Sequence, residues 1–191
     1  MPAEAALDIL RRAERVALIG CGGSGKSTLA AQLAPRLGLP LTQLDTLFWK
    51  PGWVPTPTGE WDAMVASLVA QPSWLIDGNY GRTMPLRLAR ADLVIWLDLP
   101  TATCLWRAFR RAFASRGKVR PDMAEGCPEH FDLGFLRWIA GYRPRQRPDV
   151  LQWRKDAPST QAWITLTSAA QVRRLWTTLS ATECRVRSSG R

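Results

Sequence analysis

Short apolar runs alternate along this sequence with segments of helical periodicity. Five runs of β-branched or bulky apolar residues predict strands, in residues 16–19, 41–44, 74–76, 93–97 and 163–166. Between them, apolar residues recur at the spacing of amphipathic helices, in residues 26–37, 60–70, 83–90, 102–113, 133–142 and 169–179. Residues 1–15 predict one more short amphipathic helix. This alternation predicts an α/β fold of three layers (α/β/α), in which helices cover both faces of a five-stranded, mostly parallel sheet.

Two segments rich in proline and glycine interrupt the alternation. Residues 48–58 contain three prolines, which predict a rigid loop leading into the next predicted helix. We expect the loop and this helix together to form a flap at about 46–70. Residues 115–132 predict a long loop with little hydrophobic core of its own. We expect this loop to form a lid at about 114–132, carried by the predicted helices on either side of it. We expect both segments to open more readily than the central strands. The whole pattern predicts a single domain over residues 1–191 with a disordered tail at about 185–191.

A glycine-rich segment, Gly20 to Thr28, matches the phosphate-binding pattern G-x-x-x-x-G-K-[ST] and lies between a predicted strand and a predicted helix. The loop must turn tightly so that successive backbone N–H groups converge on phosphate oxygens. Lys26 is expected to reach the β and γ phosphates of ATP, and the Ser27 hydroxyl to bind Mg2+. The predicted nucleotide-binding residues of the loop are Gly20, Gly22, Gly23, Ser24, Gly25, Lys26, Ser27 and Thr28.

Three aspartates follow predicted strands, at the edge where ligands bind in parallel sheets: Asp45, Asp77 and Asp98. Asp77 suits a carboxylate that supports magnesium beside the loop, and the alternative is a structural carboxylate that caps the next turn. Asp45 leads into an aromatic stretch, Phe48 to Trp53, and suits contact with a hydroxylated or ring-bearing acceptor. The same aromatics can instead simply pack the flap onto the body. Asp98 is predicted to support a turn and takes no chemical role.

The formal net charge is +10, and all of the positive excess lies in the second half of the chain. Residues 1–100 carry 9 Lys/Arg and 9 Asp/Glu, whereas residues 101–191 carry 17 and 7. This imbalance indicates a polyanionic partner, which can be a nucleotide, a nucleic acid or a membrane surface. Arg107 and Arg111 share one face of a predicted helix, and phosphoryl transfer needs such positive charge. Arg110 lies beside this pair on the same predicted helix. Further basic residues lie in and after residues 115–132: Arg116, Lys118, Arg120, Arg137, Arg143, Arg145 and Arg147. Each of them can equally be an ordinary solvated charge.

Other features narrow the class of protein. The N-terminus lacks the apolar stretch of a secretory signal, and the chain has no apolar run long enough to span a membrane. The four cysteines are irregularly spaced, which favours reduced thiols and a cytoplasmic location. Cys127 and His130 have the spacing of half a zinc site, but no second pair of ligands follows.

The order of these motifs resembles the adenylate-kinase-like branch of the P-loop kinases. More narrowly, residues 44–53, 76–80 and 120–127 resemble the bacterial DNA topology modulation proteins, and the resemblance covers about residues 14–180. It implies that Arg107 and Arg111 act like the arginines that stack on adenine and touch phosphate in those kinases. It also implies that Arg137 matches an arginine of the helix after the lid. Arg82 falls one residue later than the arginine that binds the acceptor phosphate in adenylate kinases.

These observations predict a magnesium- and ATP-dependent kinase that acts on a small-molecule or nucleotide acceptor. The predicted catalytic residues are Lys26, Arg111 and Arg137, and Arg107 belongs to the nucleotide site. Asp45 and Arg82 are predicted to bind the acceptor. The alternatives are a nucleotide-gated regulatory module with only basal ATPase activity and a nucleic-acid-binding module, although no helix-turn-helix or zinc-finger spacing is present. No membrane partner is predicted.

Overall fold

The computed structural model describes the backbone of residues 3–188 and the side chains of residues 6–179. The helices of this described part are α1 (Ala3–Arg12), α2 (Lys26–Leu37), α3 (Leu44–Phe48), α4 (Thr58–Ala70), α5 (Met84–Arg90), α6 (Thr101–Ala114), α7 (Leu133–Ala140), α8 (Tyr142–Asp156) and α9 (Ala169–Ser188). The strands are β1 (Arg15–Gly20), β2 (Leu41–Gln43), β3 (Trp49–Lys50), β4 (Val54–Pro55), β5 (Trp74–Asp77), β6 (Leu93–Leu97) and β7 (Ala162–Leu166). Residues 185–188 of the predicted tail belong to α9, and residues 189–191 lie outside the described residues.

Five strands form one parallel sheet in the order β2-β5-β1-β6-β7. In its register, Leu18 pairs with Asp77 and Gln43 also pairs with Asp77, while Gly20 pairs with Leu97. The carboxyl ends of β1, β2 and β5 therefore lie side by side. Ligands of open α/β sheets bind at this edge, so the register brings the glycine-rich loop and Asp77 together.

Alternating side chains of the central strands build a separate core on each face of the sheet. Val16 and Leu18 of β1 pack with α1, α2 and α9 on one face, whereas Ala17 and Ile19 pack with α4, α5 and α8 on the other. The side chains of β6 alternate between the same two cores. A strand that is buried on both faces has a continuous apolar sequence, which explains why these strands could be predicted. The three-layer α/β/α prediction with its five-stranded sheet is confirmed.

The sequence pattern missed helices α3 and α8 and the hairpin within the flap. Helix α8 was not predicted because it buries little beyond Tyr142 and Val150 and contains Pro148, so its apolar periodicity is weak. Within the flap, β3 and β4 form a two-stranded antiparallel hairpin in which Trp49 pairs with Pro55.

The flap and the lid hold each other. The Gly52 N–H donates to the Gly126 carbonyl at 2.9 Å, the Cys127 thiol donates to the Lys50 carbonyl at 3.2 Å, and the Trp53 indole N–H donates to the Pro128 carbonyl at 3.1 Å. We call these three bonds the flap–lid contact. The lid's residues 115–132 form turns between the helical stems α6 and α7. Contrary to the expectation of little core, this segment buries three apolar side chains, those of Met123, Ala124 and Cys127. No helix within the described residues is both long enough and apolar enough to cross a membrane.

Candidate nucleotide and acceptor site

The glycine-rich loop has the conformation and the crowding that its glycines predict. Gly20, Gly23 and Gly25 have φ angles of +148°, +77° and +97°, which disfavour any side chain. A Cβ at Gly22 would lie 2.6 Å from the Phe135 ring, and one at Gly23 would overlap the Cys104 carbonyl oxygen. No side chain caps the start of α2, so its first N–H groups point into the loop's concavity. This is a cradle shaped for an anion.

Two polar side chains of the loop region and one of α6 are placed around that cradle. The Lys26 ammonium donates to the Cys21 carbonyl at 3.2 Å, which keeps it beside the loop. The Ser24 hydroxyl is buried and has no hydrogen-bond partner within the described residues. The Arg107 guanidinium of α6 donates to the Ser24 carbonyl at 3.0 Å, and this bond links α6 to the loop.

Asp77 ends β5 next to this cradle and is 4% exposed. Burial raises the pKa of Asp77 to about 6, while the Lys26 charge and a hydrogen bond from Ser27 act in the opposite direction. Its Oδ1 is buried without a hydrogen-bond partner in the described part of the chain. A buried carboxylate oxygen next to a serine hydroxyl is the donor set of a hard cation such as Mg2+. The Ser27 and Asp77 side chains therefore fit a magnesium ion.

A buried arginine that was not predicted shapes the turn after Asp77. Arg87 of α5 is 0% exposed and donates to the carbonyl oxygens of Gly78 (2.7 Å), Asn79 and Tyr80 (3.2 Å). Burial lowers the pKa of Arg87 to about 10, so the guanidinium stays charged. The turn in addition supports the glycine-rich loop, because the Asn79 side-chain oxygen accepts from the Gly20 N–H at 3.0 Å.

Tyr80 connects this turn to Asp45. Its φ of +36° is unusual for a non-glycine residue, and its hydroxyl donates to Asp45 Oδ1 at 2.5 Å. Burial, followed by the Asp45 charge, raises the pKa of Tyr80. Tyr80 also packs against Phe48 and Trp61, with ring centroids 4.7 and 4.8 Å apart. Asp45 is therefore fixed by a rigid aromatic support.

One cavity of about 940 Å³ joins these groups. Its walls include the loop from Gly22 to Thr28, Asp45, Asp77, Arg107 and Arg111, so most of the predicted site is assembled in one place. Beyond the loop, the cavity continues past the stacked rings of Phe135 and Trp138, 5.9 Å apart, towards Val172. On the other side it runs under the flap and the lid. Gly20 is not among the residues that line the cavity. It lies at the start of the loop, where a Cβ would lie 2.6 Å from the Leu97 carbonyl oxygen.

Lid carboxylates bind the arginines that enter the cavity. Arg111 Nε lies 3.2 Å from Glu129, and Arg120 Nε lies 2.6 Å from the same carboxylate. Arg120 also bonds Asp122 at 2.8 Å. Asp122 and Glu129 had no predicted role, and only the folded lid brings Glu129 to an arginine 18 residues away.

The structure does not bring Arg82 and Arg137 into this cavity. Arg82 pairs with Asp62 at 2.7 Å and lines a neighbouring recess of about 480 Å³. Arg137 is exposed, because Phe135 and Trp138 occupy the face of α7 that lines the cavity. The later arginines have other contacts: Arg143 and Arg147 bind Asp98 at 3.5 and 2.9 Å. Asp98 thus anchors α8 to the end of β6, and its ion pairs go beyond the predicted support of a turn.

The zinc alternative finds no support. The Cys127 thiol is buried and bonds the Lys50 carbonyl, whereas His130 is exposed and packs edge-on against Trp53. In the part of the chain that the structure describes, no group of three or more His, Cys, Asp or Glu side chains can hold a metal. Cys21, Cys104 and Cys127 are free thiols.

The chain matches no protein-family model, and by sequence it matches none of the curated proteins. Among solved structures, it is similar to a shikimate kinase from Acinetobacter baumannii in complex with shikimate, with a TM-score of 0.53 and 20% identity over 96% of this chain and 98% of that chain. The chain has the fold of P-loop kinases.

Two other solved kinases match less well. A gluconokinase from Sinorhizobium meliloti 1021 matches with a TM-score of 0.48 and 13% identity over 93% of this chain and 97% of its own. A deoxyadenosine kinase from M. mycoides with dCMP and dCDP bound matches with a TM-score of 0.47 and 14% identity over 91% of this chain and 98% of its own. The narrower resemblance to DNA topology modulation proteins stays a prediction.

Proposed function

We propose that this protein is a kinase that transfers the γ-phosphoryl group of ATP to a small-molecule or nucleotide acceptor. The observation that carries the proposal is the single cavity that joins an anion cradle to a second, acceptor-side space beneath the flap and lid. A protein that only bound or hydrolysed a nucleotide would need the cradle but not a second space beside it. Two adjoining sites are what in-line transfer between two substrates requires.

In this proposal the loop amides and Lys26 hold the donor phosphates. Ser27 and Asp77 hold Mg2+, which neutralises charge on the donor when it is bound. Arg107 and Arg111 project from α6 into the cavity and supply further positive charge near the phosphates. Glu129 holds Arg111 in place and so limits the number of positions it can adopt. Arg137 has no part in this arrangement because its side chain is exposed.

The acceptor lies on the other side of the loop, in contact with Asp45. An acceptor oxygen forms a bond to the γ-phosphorus while the bond to the β,γ-bridging oxygen breaks, and ADP leaves. In this proposal the flap–lid contact limits the access of water to the bound substrates, which favours transfer to the acceptor over hydrolysis. The flap–lid contact therefore matters for whether the protein acts as a kinase or as an ATPase.

The test is a comparison of Lys26→Ala with Lys50→Ala. Lys50 is an exposed lysine that pairs with Glu60 at 3.0 Å and lies outside the cradle. ADP formation is followed over a panel of nucleosides, nucleotides and hydroxylated small molecules, and urea unfolding checks the fold of both variants. We expect Lys26→Ala to lower acceptor-stimulated ADP formation by about 100-fold or more at unchanged stability, because it removes charge stabilisation at the transferring group. Undiminished activity of Lys26→Ala would refute the assignment.

The regulatory alternative makes a different prediction in the same experiment. A nucleotide-gated module forms ADP at one basal rate whatever acceptor is offered. A nucleic-acid-binding module shows binding that weakens steeply with salt and depends on the basic residues Arg110, Arg116 and Lys118 at the surface of α6 and the lid. Acceleration by an acceptor, with no such salt-dependent binding, distinguishes the kinase from both.

A further inference from the structure

The acceptor end of the cavity is built by three segments. Helix α3 and the flap that follows it contribute Asp45, Trp49 and Trp53, and the end of β5 with the turn after it contributes Asp77 and the residues up to Gly81. The lid contributes its remaining walls: Arg120, Asp122, Met123, Glu129 and His130. The chemistry of these side chains decides which acceptors this end can hold.

Among the described residues, the arginines near the acceptor end are already bound by other groups of the protein. Arg120 is 15% exposed and held between Asp122 and Glu129. Arg87 is bonded to the backbone carbonyls of the β5 turn, and Arg82 faces the outer recess, where it pairs with Asp62. An acceptor phosphate or carboxylate would have to break one of these pairs to find a cation. Since each broken pair leaves a carboxylate or carbonyl unmatched, the acceptor end disfavours anions.

The carboxylates at this end are in excess. Asp45 accepts a hydrogen bond from the Tyr80 hydroxyl, and no lysine or arginine among the described residues forms an ion pair with it. Asp45, Asp77 and Asp122 all line this cavity, so their negative charges face one shared space. A magnesium ion at Asp77 would leave the charge of Asp45 unmatched.

Aromatic rings line the same end of the cavity as the Asp45 carboxylate. Trp49 and Trp53 contact each other edge to face with centroids 5.5 Å apart, and Trp53 contacts His130 in the same way at 5.3 Å. Faces of tryptophan rings attract ammonium groups, most strongly where water is excluded. A carboxylate that shares a cavity wall with two indoles is a site for a cation.

We infer that the acceptor of this proposed kinase is a hydroxylated amine, whose ammonium group binds between Asp45 and the indoles of Trp49 and Trp53. The inference rests on the proposed function and specifies its substrate class. The acceptor hydroxyl oxygen forms the bond to the γ-phosphorus, and ADP leaves with the electrons of the broken bond. The hydroxyl proton passes to a phosphoryl oxygen and then to solvent, so the amine keeps its charge throughout.

The test uses a low-molecular-mass cell extract divided by ion exchange into cationic, neutral and anionic fractions. Each fraction is incubated with the full chain, magnesium and ATP labelled in the γ-phosphoryl group, and transfer of label to new compounds is measured. We expect transfer in the cationic fraction, at least about tenfold above the other two, as one ionic contact predicts. The anionic fraction should not accelerate ADP formation.

Three variants separate the role of Asp45 from general effects. Asp45→Asn keeps an oxygen for the Tyr80 hydroxyl but loses the charge, and we expect its KM for the cationic acceptor to rise about tenfold with a smaller change in kcat. Asp62→Asn, which alters the carboxylate paired with Arg82 in the outer recess, should leave KM unchanged. Asp45→Glu should recover part of the affinity.

The outcomes separate the two proposals. Transfer confined to the neutral or anionic fraction overturns the hydroxylated amine and leaves the kinase standing. Equal KM for Asp45→Asn and the unaltered protein also overturns it. Absence of transfer in all three fractions, with ADP formed at the basal rate only, overturns the kinase and this inference together.

Discussion

The guanidinium of Arg87 donates a hydrogen bond of 2.7 Å to the carbonyl oxygen of Gly78, although the arginine is completely buried. Buried arginines are rare, and this one serves backbone carbonyls rather than a carboxylate. Its bonds fix the turn that carries Asp77 and Tyr80. The geometry of the proposed magnesium and acceptor residues therefore depends on a side chain that lines neither proposed site.

Replacing Arg87 with methionine should destabilise the protein by about 3 kcal/mol, because three buried carbonyls lose a charged donor. Arg82→Met is the matched control. The Arg82 side chain is 65% exposed, and its ion pair with Asp62 is an ordinary surface contact. Urea unfolding at pH 7 measures the stability of both variants. Equal losses of stability in Arg87→Met and Arg82→Met would contradict the structural role of Arg87.

Replacing Gly23 with alanine should abolish nucleotide binding, because its Cβ would overlap the Cys104 carbonyl and deform the loop. Gly38→Ala is a control for backbone strain alone, since Gly38 also has a positive φ, +65°, but a Cβ there would meet nothing within 4 Å. The strain of each substitution costs about 1 kcal/mol. Calorimetric titration with ATP and magnesium should show binding by Gly38→Ala only, and binding by Gly23→Ala would show that the loop does not need this close approach.

The metal-free protein should lose stability as pH rises from about 4 to 6, relative to an Asp77→Asn variant. Burial holds the pKa of Asp77 at about 6 in the folded state, against an ordinary value of 3.8, so the folded state binds more protons in this interval. Above pH 6 the buried charge costs up to about 3 kcal/mol. Urea unfolding with a chelator at pH 4 and pH 8 measures the difference. Asp77→Asn should be the more stable protein at pH 8, and parallel pH profiles would contradict the buried, raised Asp77.

Replacing Gly126 with alanine should open the flap–lid contact, because its Cβ would lie 2.8 Å from Pro51. Gly117→Ala lies in the same lid with nearly the same φ, +73° against +75°, but its Cβ would meet nothing within 4 Å. Hydrogen exchange at the Gly52 amide, which donates to the Gly126 carbonyl, reports on the contact. We expect faster exchange in Gly126→Ala than in Gly117→Ala, and equal rates would mean that flap and lid do not depend on this contact.

Much of the fold could be predicted from local pattern. The apolar runs of β1 and β6 are buried on both faces of the sheet, as their continuous apolar sequences indicate. The glycine-rich loop was recognisable because its spacing is fixed by the backbone conformation it must adopt. Helix α8 could not be predicted because it buries few side chains. It is held to the sheet by ion pairs of Asp98 with Arg143 and Arg147. Such ion pairs leave no periodic trace in a sequence.

The sequence by itself determined the alternation of strands and helices, the glycine-rich loop between β1 and α2, and the placement of Asp45 and Asp77 close to the carboxyl ends of strands. These features depend on neighbours within a few residues, which the order of amino acids contains directly. Only the tertiary structure decided which charges meet. It paired Arg82 with Asp62, bound Arg120 to Asp122 and Glu129, and left Asp45 without a cation among the described side chains, because electrostatic pairing depends on distances in space that residues far apart in the chain acquire only on folding.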